Sequence, residues 1–207
     1  MAASQPARVT VQTATGDALL PWLASVAALR LAVFREFPYL YDGDDAYEQK
    51  YLARYVGTPG AAVVLALDGE SCVGASTCLP LAREGKDVLA PFLARDWPVA
   101  ATCYFGESVL LPAYRGQGIG VEFFRAREAH AASLGLDFCA FCGVVRPADH
   151  PRRPAGYAPL DAFWRHRGYT PRPDLVCTMS WRDVGEEGET EKPLSFWVKS
   201  LSGIPLP

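Results

Sequence analysis

The 207-residue chain has no large excess of charge of either sign. Its 20 lysine and arginine residues face 23 acidic residues, which gives a formal charge of -3 at pH 7. A protein that binds nucleic acid over a broad basic face needs many cations to neutralise phosphates. The charge balance therefore argues against nucleic acid as a partner.

Long apolar runs and a secretory signal are also missing from the sequence pattern. No apolar run approaches the ~18–20 residues that a helix needs to span a bilayer, and residues 1–8 lack the apolar core of a secretory signal. Half of the residues are nevertheless hydrophobic (50%), which is too many for a disordered chain. We therefore expect a cytoplasmic protein without a membrane partner.

The six cysteines lack the spacing that a zinc site would need. Cys139 and Cys142 form a CxxC motif, but neither a second such pair nor a histidine at ligand spacing accompanies it. On a strand, this odd spacing would point the two thiols to opposite faces. We expect reduced, buried cysteines and no metal.

Strand and helix patterns follow one another in the order β-α-α-β-β-(α)-β-α-β-α-β between residues 8 and 181. The turn signal Asp68-Gly69 joins two apolar, β-branched runs and predicts a hairpin. Asp45 and Glu48 predict a capping box at the start of the second helix. This order predicts a mixed α/β sheet. Residues 1–183 would form one domain, and residues 184–207 an acidic linker with an apolar tail that docks on it.

A glycine-rich loop, Tyr114-Arg-Gly-Gln-Gly-Ile-Gly120, lies between an apolar strand and a helix. Glycines let the backbone approach a ligand closely, and the free N–H groups and dipole of the following helix form an anion site. The loop lacks the lysine of a Walker A motif, and Val121 stands where the dinucleotide fingerprint needs glycine. A phosphate or pyrophosphate is the expected ligand.

The loop does match the pattern [Arg/Gln]-x-x-Gly-x-[Gly/Ala], with Arg115, Gly118 and Gly120 at the fixed positions. It resembles the coenzyme A loop of the GNAT acetyltransferase superfamily. Leu110-Leu-Pro-Ala-Tyr-Arg-Gly-Gln-Gly-Ile-Gly120 resembles the family's strand-Pro-loop-helix segment, and Phe163-Trp-Arg-His-Arg-Gly-Tyr169 resembles its late helix. The resemblance covers about residues 8–182. It implies a mostly antiparallel GNAT-type sheet, flanked by helices, with splayed central strands.

The resemblance also implies an acyltransferase that moves an acetyl group from acetyl-CoA directly to an amine, without an acyl-enzyme. In the family, pantetheine lies in the gap between strands four and five. If this sequence follows the family, the backbone of Ser108, Val109 and Leu110 would hold the pantetheine and polarise the thioester carbonyl. The pyrophosphate would lie on the amides of the loop, which is formed by Arg115, Gly116, Gln117, Gly118, Ile119 and Gly120.

An amine acceptor must lose a proton, so a base is needed near the gap, and Glu107 is the candidate. Phe105, Glu107 and Val109 alternate on the strand, which predicts a carboxylate among apolar neighbours, a setting in which enzymes keep a general base. Gly106 would tolerate a bulge. The alternative is a carboxylate that pairs with a nearby arginine or takes part in binding only.

The leaving thiolate needs a proton as well. Family members often supply it from a tyrosine in the late helix, but Trp164 stands at that position here and cannot act as an acid. Seven residues earlier, Tyr157 stands where many members have an asparagine that hydrogen-bonds the coenzyme. Tyr157 is the candidate proton donor. A packing role for Tyr157, with the proton coming from bulk solvent, is the alternative.

In this family the loop between the first two helices usually contacts the acceptor. Here that loop offers aromatic faces and carboxylates, which suit a cation; the candidates are Phe37, Tyr39, Tyr41 and Asp42. A solvated loop whose aromatics pack on the core is the alternative.

Residues 146–172 carry six arginines against two aspartates, and we expect this basic segment to face the polyanionic coenzyme. The expected partners are a small-molecule or exposed-amine acceptor and a second copy of the chain.

Two other functions fit parts of the pattern. A non-catalytic acyl-CoA-binding or sensing domain of the same fold would need the glycine loop but not an acid, which agrees with Trp164. A structural partner module would use Phe196 and Trp197 as an interface patch. Loss of turnover with retained coenzyme binding would favour the sensing domain.

Overall fold

The computed structural model describes residues 9–207. Its strands are Thr10–Ala14 (β1), Ala62–Asp68 (β2), Ser71–Pro80 (β3), Thr102–Leu110 (β4), Phe138–Val144 (β5), Thr170–Arg182 (β6) and Glu189–Ser200 (β7). Its α-helices are Leu23–Phe34 (α1), Asp45–Gly57 (α2), Lys86–Leu93 (α3), Ile119–Ser133 (α4) and Asp161–His166 (α5). The seven strands form one sheet in the order β1-β2-β3-β4-β5-β7-β6, and all neighbours are antiparallel except β4 and β5. The predicted mixed, mostly antiparallel sheet is confirmed.

Both faces of the sheet are covered, and β2 shows how. Val63 and Leu65 belong to the core that α1, α2 and α3 share, whereas Val64 and Ala66 pack with residues of α4 on the other face. All four side chains are buried. A strand that is apolar on both faces is expected where helices cover both sides of a sheet.

The central strands separate after a short shared segment, as the splayed-strand prediction requires. β4 and β5 pair only over Thr102–Phe138, Cys103–Cys139 and Tyr104–Ala140. Beyond Tyr104, β4 continues beside β3, while β5 continues beside β7. A gap therefore opens between the carboxyl-terminal halves of two adjacent strands.

A β-bulge in β4 changes which face Glu107 occupies. Between the pairs Cys78–Phe105 and Ser76–Ser108, β3 contributes one residue and β4 contributes both Gly106 and Glu107. The extra residue shifts the alternation of side chains. Phe105 packs with α4, whereas Glu107 contacts α1 and α2. The prediction that Phe105 and Glu107 share a face is wrong because of this bulge, which Gly106 was expected to tolerate.

The carboxyl-terminal segment is part of the sheet and not an appendage. Residues 184–188 form the turn between β6 and β7, and β7 pairs with β5 on one side and β6 on the other. The division into a domain of residues 1–183 and a docking tail is therefore wrong. Leu194, Phe196 and Val198 are buried at alternate positions, which is the period of a strand. The acidic, glycine-containing composition belongs to a hairpin turn.

The start of the chain differs from expectation in two further respects. Asp44, and not Asp45, caps α2, because its Oδ1 accepts a hydrogen bond from the N–H of Tyr47 at 3.0 Å.

The segment Gly16–Phe34 is long and apolar enough to cross a membrane by length and composition, with 19 residues and a mean hydropathy of 1.5. The statement that no apolar run reaches this length is therefore wrong. In the fold, Arg30 of this segment is buried against α2 and β4.

All six cysteines are free thiols, and five of them are buried. Cys139 packs on the α4 face, and Cys142 belongs to the core on the opposite face, as the odd spacing on β5 predicts. Among residues 9–207 there is no group of histidine, cysteine and acidic side chains that could hold a metal ion.

Replacement of a buried β7 side chain tests the position of this strand. Phe196 is fully buried and lies 4.7 Å from Phe92 of α3 between ring centroids. We expect Phe196→Ala to lower the free energy of unfolding by about 3–5 kcal/mol through loss of burial and formation of a cavity. Urea denaturation followed by circular dichroism measures the change. Leu93→Ala, at an exposed site (61%), should cost less than about 0.5 kcal/mol; equal effects would contradict an internal β7.

Candidate active site

Glu107 lies at the bulge of β4 and is held by an ion pair with α1. Its Oε2 is 2.8 Å from the Nη1 of Arg30, and the same arginine pairs with Glu48 of α2 through its Nε. Glu107 and Glu48 are 6% and 0% exposed. Burial works against the charge of Arg30, but Glu107, Tyr51 and Glu48 outweigh it and raise the pKa of the guanidinium. One buried cation is therefore shared by two buried carboxylates.

Hydrogen bonds close a ring around the bulge. The N–H of Glu107 donates to the Thr77 hydroxyl at 3.2 Å, and that hydroxyl donates to the Tyr55 hydroxyl at 3.1 Å. Tyr55 and Tyr51 share a contact of 3.4 Å between hydroxyls, and Tyr51 donates to Oε2 of Glu107 at 3.3 Å. Burial and then Glu107 raise the pKa of both tyrosines, so they remain donors at neutral pH. The ring holds the carboxylate in one position.

Oε1 of Glu107 stands apart from this ring. It is buried and has no hydrogen-bond partner within residues 9–207. A buried oxygen without a partner is rare in native proteins and often marks a functional position. Glu107 is therefore paired with an arginine, which was the alternative to a catalytic base. One of its two carboxylate oxygens nevertheless has no hydrogen-bond partner within residues 9–207.

The backbone of β4 presents polar groups to the gap at every second residue. Leu111 donates to the carbonyl of Val73 at 3.0 Å, next to the pair Gly74–Leu110. Bonded and non-bonded pairs alternate in an antiparallel ladder, so Ser108 and Leu110 direct their N–H and C=O groups away from β3. Ser108 and Leu110 thus fit the predicted pantetheine contacts. Val109 does not, because its main chain pairs with β3 and its side chain is fully buried.

The glycine loop connects the end of β4 to the start of α4. Gly116 and Gly118 have φ angles of 76° and 84°, in the left-handed region that favours glycine. A Cβ atom at either position would meet no atom within 4 Å, so the loop borders open space. In the described part of the chain, no protein group accepts from the N–H groups of residues 116–120. This is the geometry that backbone anion sites share.

The side chain of Arg115 spans two parts of the site. Its Nε donates to the carbonyl of Leu110 at 3.1 Å, and its Nη1 lies 2.9 Å from Oε2 of Glu36. Glu36 follows α1, at the start of the loop that was predicted to contact the acceptor. The glycine loop and the acceptor loop are therefore linked by one exposed ion pair.

A cavity of about 1220 Å³ lies beside Glu107, on the face of the sheet that carries α1, α2 and α3. Tyr104 of β4 and Cys142 of β5 both line it, with 3.2 Å between the hydroxyl and the thiol. These two residues stand where β4 and β5 separate, so the cavity reaches the gap. Burial, followed by the neighbouring Cys142, raises the pKa of Tyr104 well above its ordinary value.

Three of the four predicted acceptor residues line this cavity, namely Tyr39, Tyr41 and Asp42. The ring centroid of Tyr39 is 4.6 Å from that of Phe34 and 6.1 Å from that of Trp181. Asp42 pairs with Arg35 and Arg182, each at 2.9 Å. The fourth residue, Phe37, is not among the lining residues.

Phe37 instead packs against Tyr157, edge to face, with 4.7 Å between ring centroids. Tyr157 is half-buried, burial raises its pKa, and it does not line the cavity. The structure thus gives Tyr157 a packing contact, which was the alternative to proton donation. Trp164 packs against Gly143, where an added Cβ would come within 3.0 Å of its ring.

The basic segment does not face one ligand as a unit. Arg146 pairs with Asp183 at 2.9 Å and donates to the carbonyls of Pro38 and Tyr39 at 2.8 and 2.7 Å. It therefore anchors the acceptor loop to the end of β6. Arg172 pairs with Asp174 at 2.9 Å. The expectation that all of residues 146–172 face the coenzyme is wrong for these two arginines.

Sequence reasoning missed Arg30, Tyr51, Tyr104, Cys142 and Trp181 as residues of this site. Arg30 had a detectable signal, because it follows Val26 by four residues on the apolar face of α1. A charged side chain at a core-facing position is rarely buried without a partner. The partner could not be identified, because Glu48 and Glu107 are distant in sequence.

No family model and no curated protein matches this sequence. Solved structures match its fold. The ribosomal-protein-alanine N-acetyltransferase of Brucella melitensis is 16% identical, with 93% of this chain and 99% of that chain covered and a TM-score of 0.60. A GNAT-family acetyltransferase of Staphylococcus aureus Mu50 is 12% identical, with 93% and 99% covered and a TM-score of 0.58. The yncA protein of Salmonella typhimurium, solved with its cofactor acetyl-CoA, is 16% identical, with 97% and 98% covered and a TM-score of 0.58. The chain has the GNAT fold.

The role of Arg30 in this site can be tested by stability. Arg30→Met leaves Glu48 and Glu107 buried without their counter-ion, so we expect the free energy of unfolding to fall by about 3–5 kcal/mol. Arg35→Met, at an exposed ion pair, should change it by less than about 1 kcal/mol. Adding Glu48→Gln to Arg30→Met should recover part of the loss. Chemical denaturation of the wild type and the three variants measures the free energies of unfolding. Equal losses in Arg30→Met and Arg35→Met would contradict the buried ion-pair network of Arg30, Glu48 and Glu107.

Proposed function

We propose that this protein is an N-acetyltransferase of the GNAT family, which transfers the acetyl group of acetyl-CoA directly to an amine. The observation that carries the proposal is the meeting of two sites at the point where β4 and β5 separate. The gap leads along β4 to the glycine loop, and the cavity beside it contains Glu107. A GNAT fold alone does not establish an activity, so the proposal depends on these residues.

The coenzyme would lie along the gap and the loop. Backbone N–H groups of residues 116–120 are free to bind its pyrophosphate, and Ser108 and Leu110 present polar backbone groups to the pantetheine arm. Acetyl-CoA supplies the acetyl group as a thioester. An N–H group aimed at the thioester oxygen stabilises the charge that develops there, typically by about 3 kcal/mol.

Glu107 would accept the proton that the attacking nitrogen must lose. Its Oε2 is committed to Arg30 and Tyr51, which leaves Oε1 to accept a hydrogen bond from the amine. As the new C–N bond forms and the C–S bond breaks, the sulfur leaves with the electron pair and needs a proton. The hydroxyl of Tyr104 lies at the gap, whereas Tyr157 does not line the cavity, so we assign the proton return to Tyr104.

The pairing of Glu107 with Arg30 also favours a second function, a non-catalytic acyl-CoA-binding domain. A carboxylate that balances a buried guanidinium has a structural reason to be present without any chemistry. The two functions differ in whether thiol is released when an amine is added, and both predict coenzyme binding.

The acid-base role of Glu107 is tested by Glu107→Gln, which keeps the shape but cannot take a proton. We expect kcat for thiol release with an amine acceptor to fall at least about 100-fold, while the Kd for CoA changes less than about threefold. Glu70→Gln, in the exposed turn between β2 and β3, is the control for charge removal. Turnover at the original level in Glu107→Gln would overturn the assignment.

The coenzyme loop is tested by Gly118→Ala. A side chain at φ 84° is strained and would move the loop backbone, so we expect the Kd for CoA to rise at least about tenfold. Gly69→Ala introduces a similar strain at φ 60° in the remote β2–β3 turn and should leave the Kd unchanged. Isothermal titration calorimetry with CoA gives both values. Equal effects of the two substitutions would contradict a phosphate site on this loop.

A further inference from the structure

The cavity beside Glu107 has a strongly negative wall. Eight carboxylates line it, against three guanidinium groups. The carboxylates are Asp42, Asp44, Glu84, Asp87, Glu107, Glu187, Glu189 and Glu191, and the arginines are Arg30, Arg54 and Arg182. A concave surface with charge of one sign concentrates ligands of the opposite sign.

Each of the three arginines is already neutralised inside the wall. Arg30 pairs with Glu107 and Glu48, Arg54 pairs with Glu84, and Arg182 pairs with Asp42. Five carboxylates of the wall remain, and none of them forms an ion pair within residues 9–207. These five are Asp44, Asp87, Glu187, Glu189 and Glu191. All five residues are exposed, so they surround the mouth of the cavity.

The interior end of the cavity has a separate negative group. Glu107 is 6% exposed, and its Oε1 is buried without a hydrogen-bond partner. This oxygen points to a ligand for a reason other than the number of charges, because Glu107 lines the cavity and Oε1 lacks the donor that a buried carboxylate oxygen requires. The cavity thus combines one deep carboxylate oxygen with five exposed carboxylates at the mouth.

The two negative regions differ in depth. Glu107 is buried, with 6% exposed, whereas Glu187, Glu189 and Glu191 are exposed at the mouth. The cavity volume of about 1220 Å³ leaves room for an acceptor that contacts both regions. Aromatic residues that suit cations, Tyr39, Tyr41 and Trp181, line the walls as well.

We infer that the acceptor is a multiply protonated amine. Its reacting nitrogen is bound at Glu107, and a second cation is bound at the mouth by Glu187, Glu189 and Glu191. This inference rests on the proposed acetyl transfer and names its substrate class. The hairpin of β6 and β7 then determines specificity, by selecting acceptors with a distant positive charge.

A length-matched pair of amines tests the inference. Thiol release from acetyl-CoA is measured with 1,8-diaminooctane and with n-octylamine, which differ in the distal ammonium. We expect kcat/KM to be at least about tenfold higher for the diamine, since two or three exposed ion contacts contribute about two- to fivefold each. The preference should decline as salt is raised, because exposed charges are screened.

The matched variants are Glu187→Gln/Glu189→Gln and, as control, Asp17→Asn/Glu70→Gln, which removes the same charge at exposed positions outside the cavity. The first should lose most of the preference for the diamine, with a fall in kcat/KM that is at least about fivefold larger for the diamine than for n-octylamine. The control should keep the preference and both kcat/KM values. An equal kcat/KM for the two amines, or a preference that survives in Glu187→Gln/Glu189→Gln, would overturn the inference.

Binding separates this inference from the proposed function. Both amines are titrated calorimetrically into the protein saturated with CoA, where no transfer can occur. Tighter binding of the diamine that depends on Glu187 and Glu189, without thiol release from acetyl-CoA, would support recognition of a multiply protonated amine and overturn the acetyltransferase. Thiol release at equal rates for the two amines would support the acetyltransferase and overturn the recognition of a second cation. Failure of both binding and release would overturn both.

Discussion

Arg30 is the buried ion-pair partner that links three parts of the molecule. Its guanidinium joins α1 to Glu48 of α2 and to Glu107 at the bulge of β4. Burying three ionised groups costs several kcal/mol each unless they compensate one another closely. The close approach of α1 and α2 to the bulge of β4 and the position of Glu107 beside the cavity depend on this compensation. The hydrogen-bonded ring through Thr77, Tyr55 and Tyr51 then restricts the carboxylate further.

The pattern of residues was sufficient to predict a mixed α/β sheet and the glycine loop, because each has a local cause, whereas the splayed strands were predicted only through the resemblance to GNAT acetyltransferases. Alternation predicts strands, and Gly116 and Gly118 occupy a conformation that other residues rarely adopt. The face of Glu107 could not be predicted, since the additional residue in β4 appears only where Gly106 and Glu107 lie opposite the single residue Thr77 of β3, which is distant in sequence. The partners of Arg30 were equally inaccessible, because ion pairs between distant segments leave no periodic signal.

The acidic segment at residues 184–191 shows how composition can mislead. Its glutamates and glycines have the composition of a solvated linker, but residues 184–188 form a hairpin turn and residues 189–191 begin β7, at the mouth of a cavity. A loop held between two paired strands places its charges far more precisely than a linker does. Carboxylates that would only add solubility on a linker line the cavity instead.

The position of β7 has a consequence for how the chain assembles. β7 lies between β5 and β6, yet it is synthesised after both. The edge of β5 therefore stays open during translation, and β6 has no strand to pair with until the last part of the sheet emerges from the ribosome. Contacts between segments distant in sequence slow folding, and open strand edges invite intermolecular pairing. Aggregation of incomplete chains is thus an intrinsic hazard of this topology, and the cavity wall built on β6 and β7 is formed last.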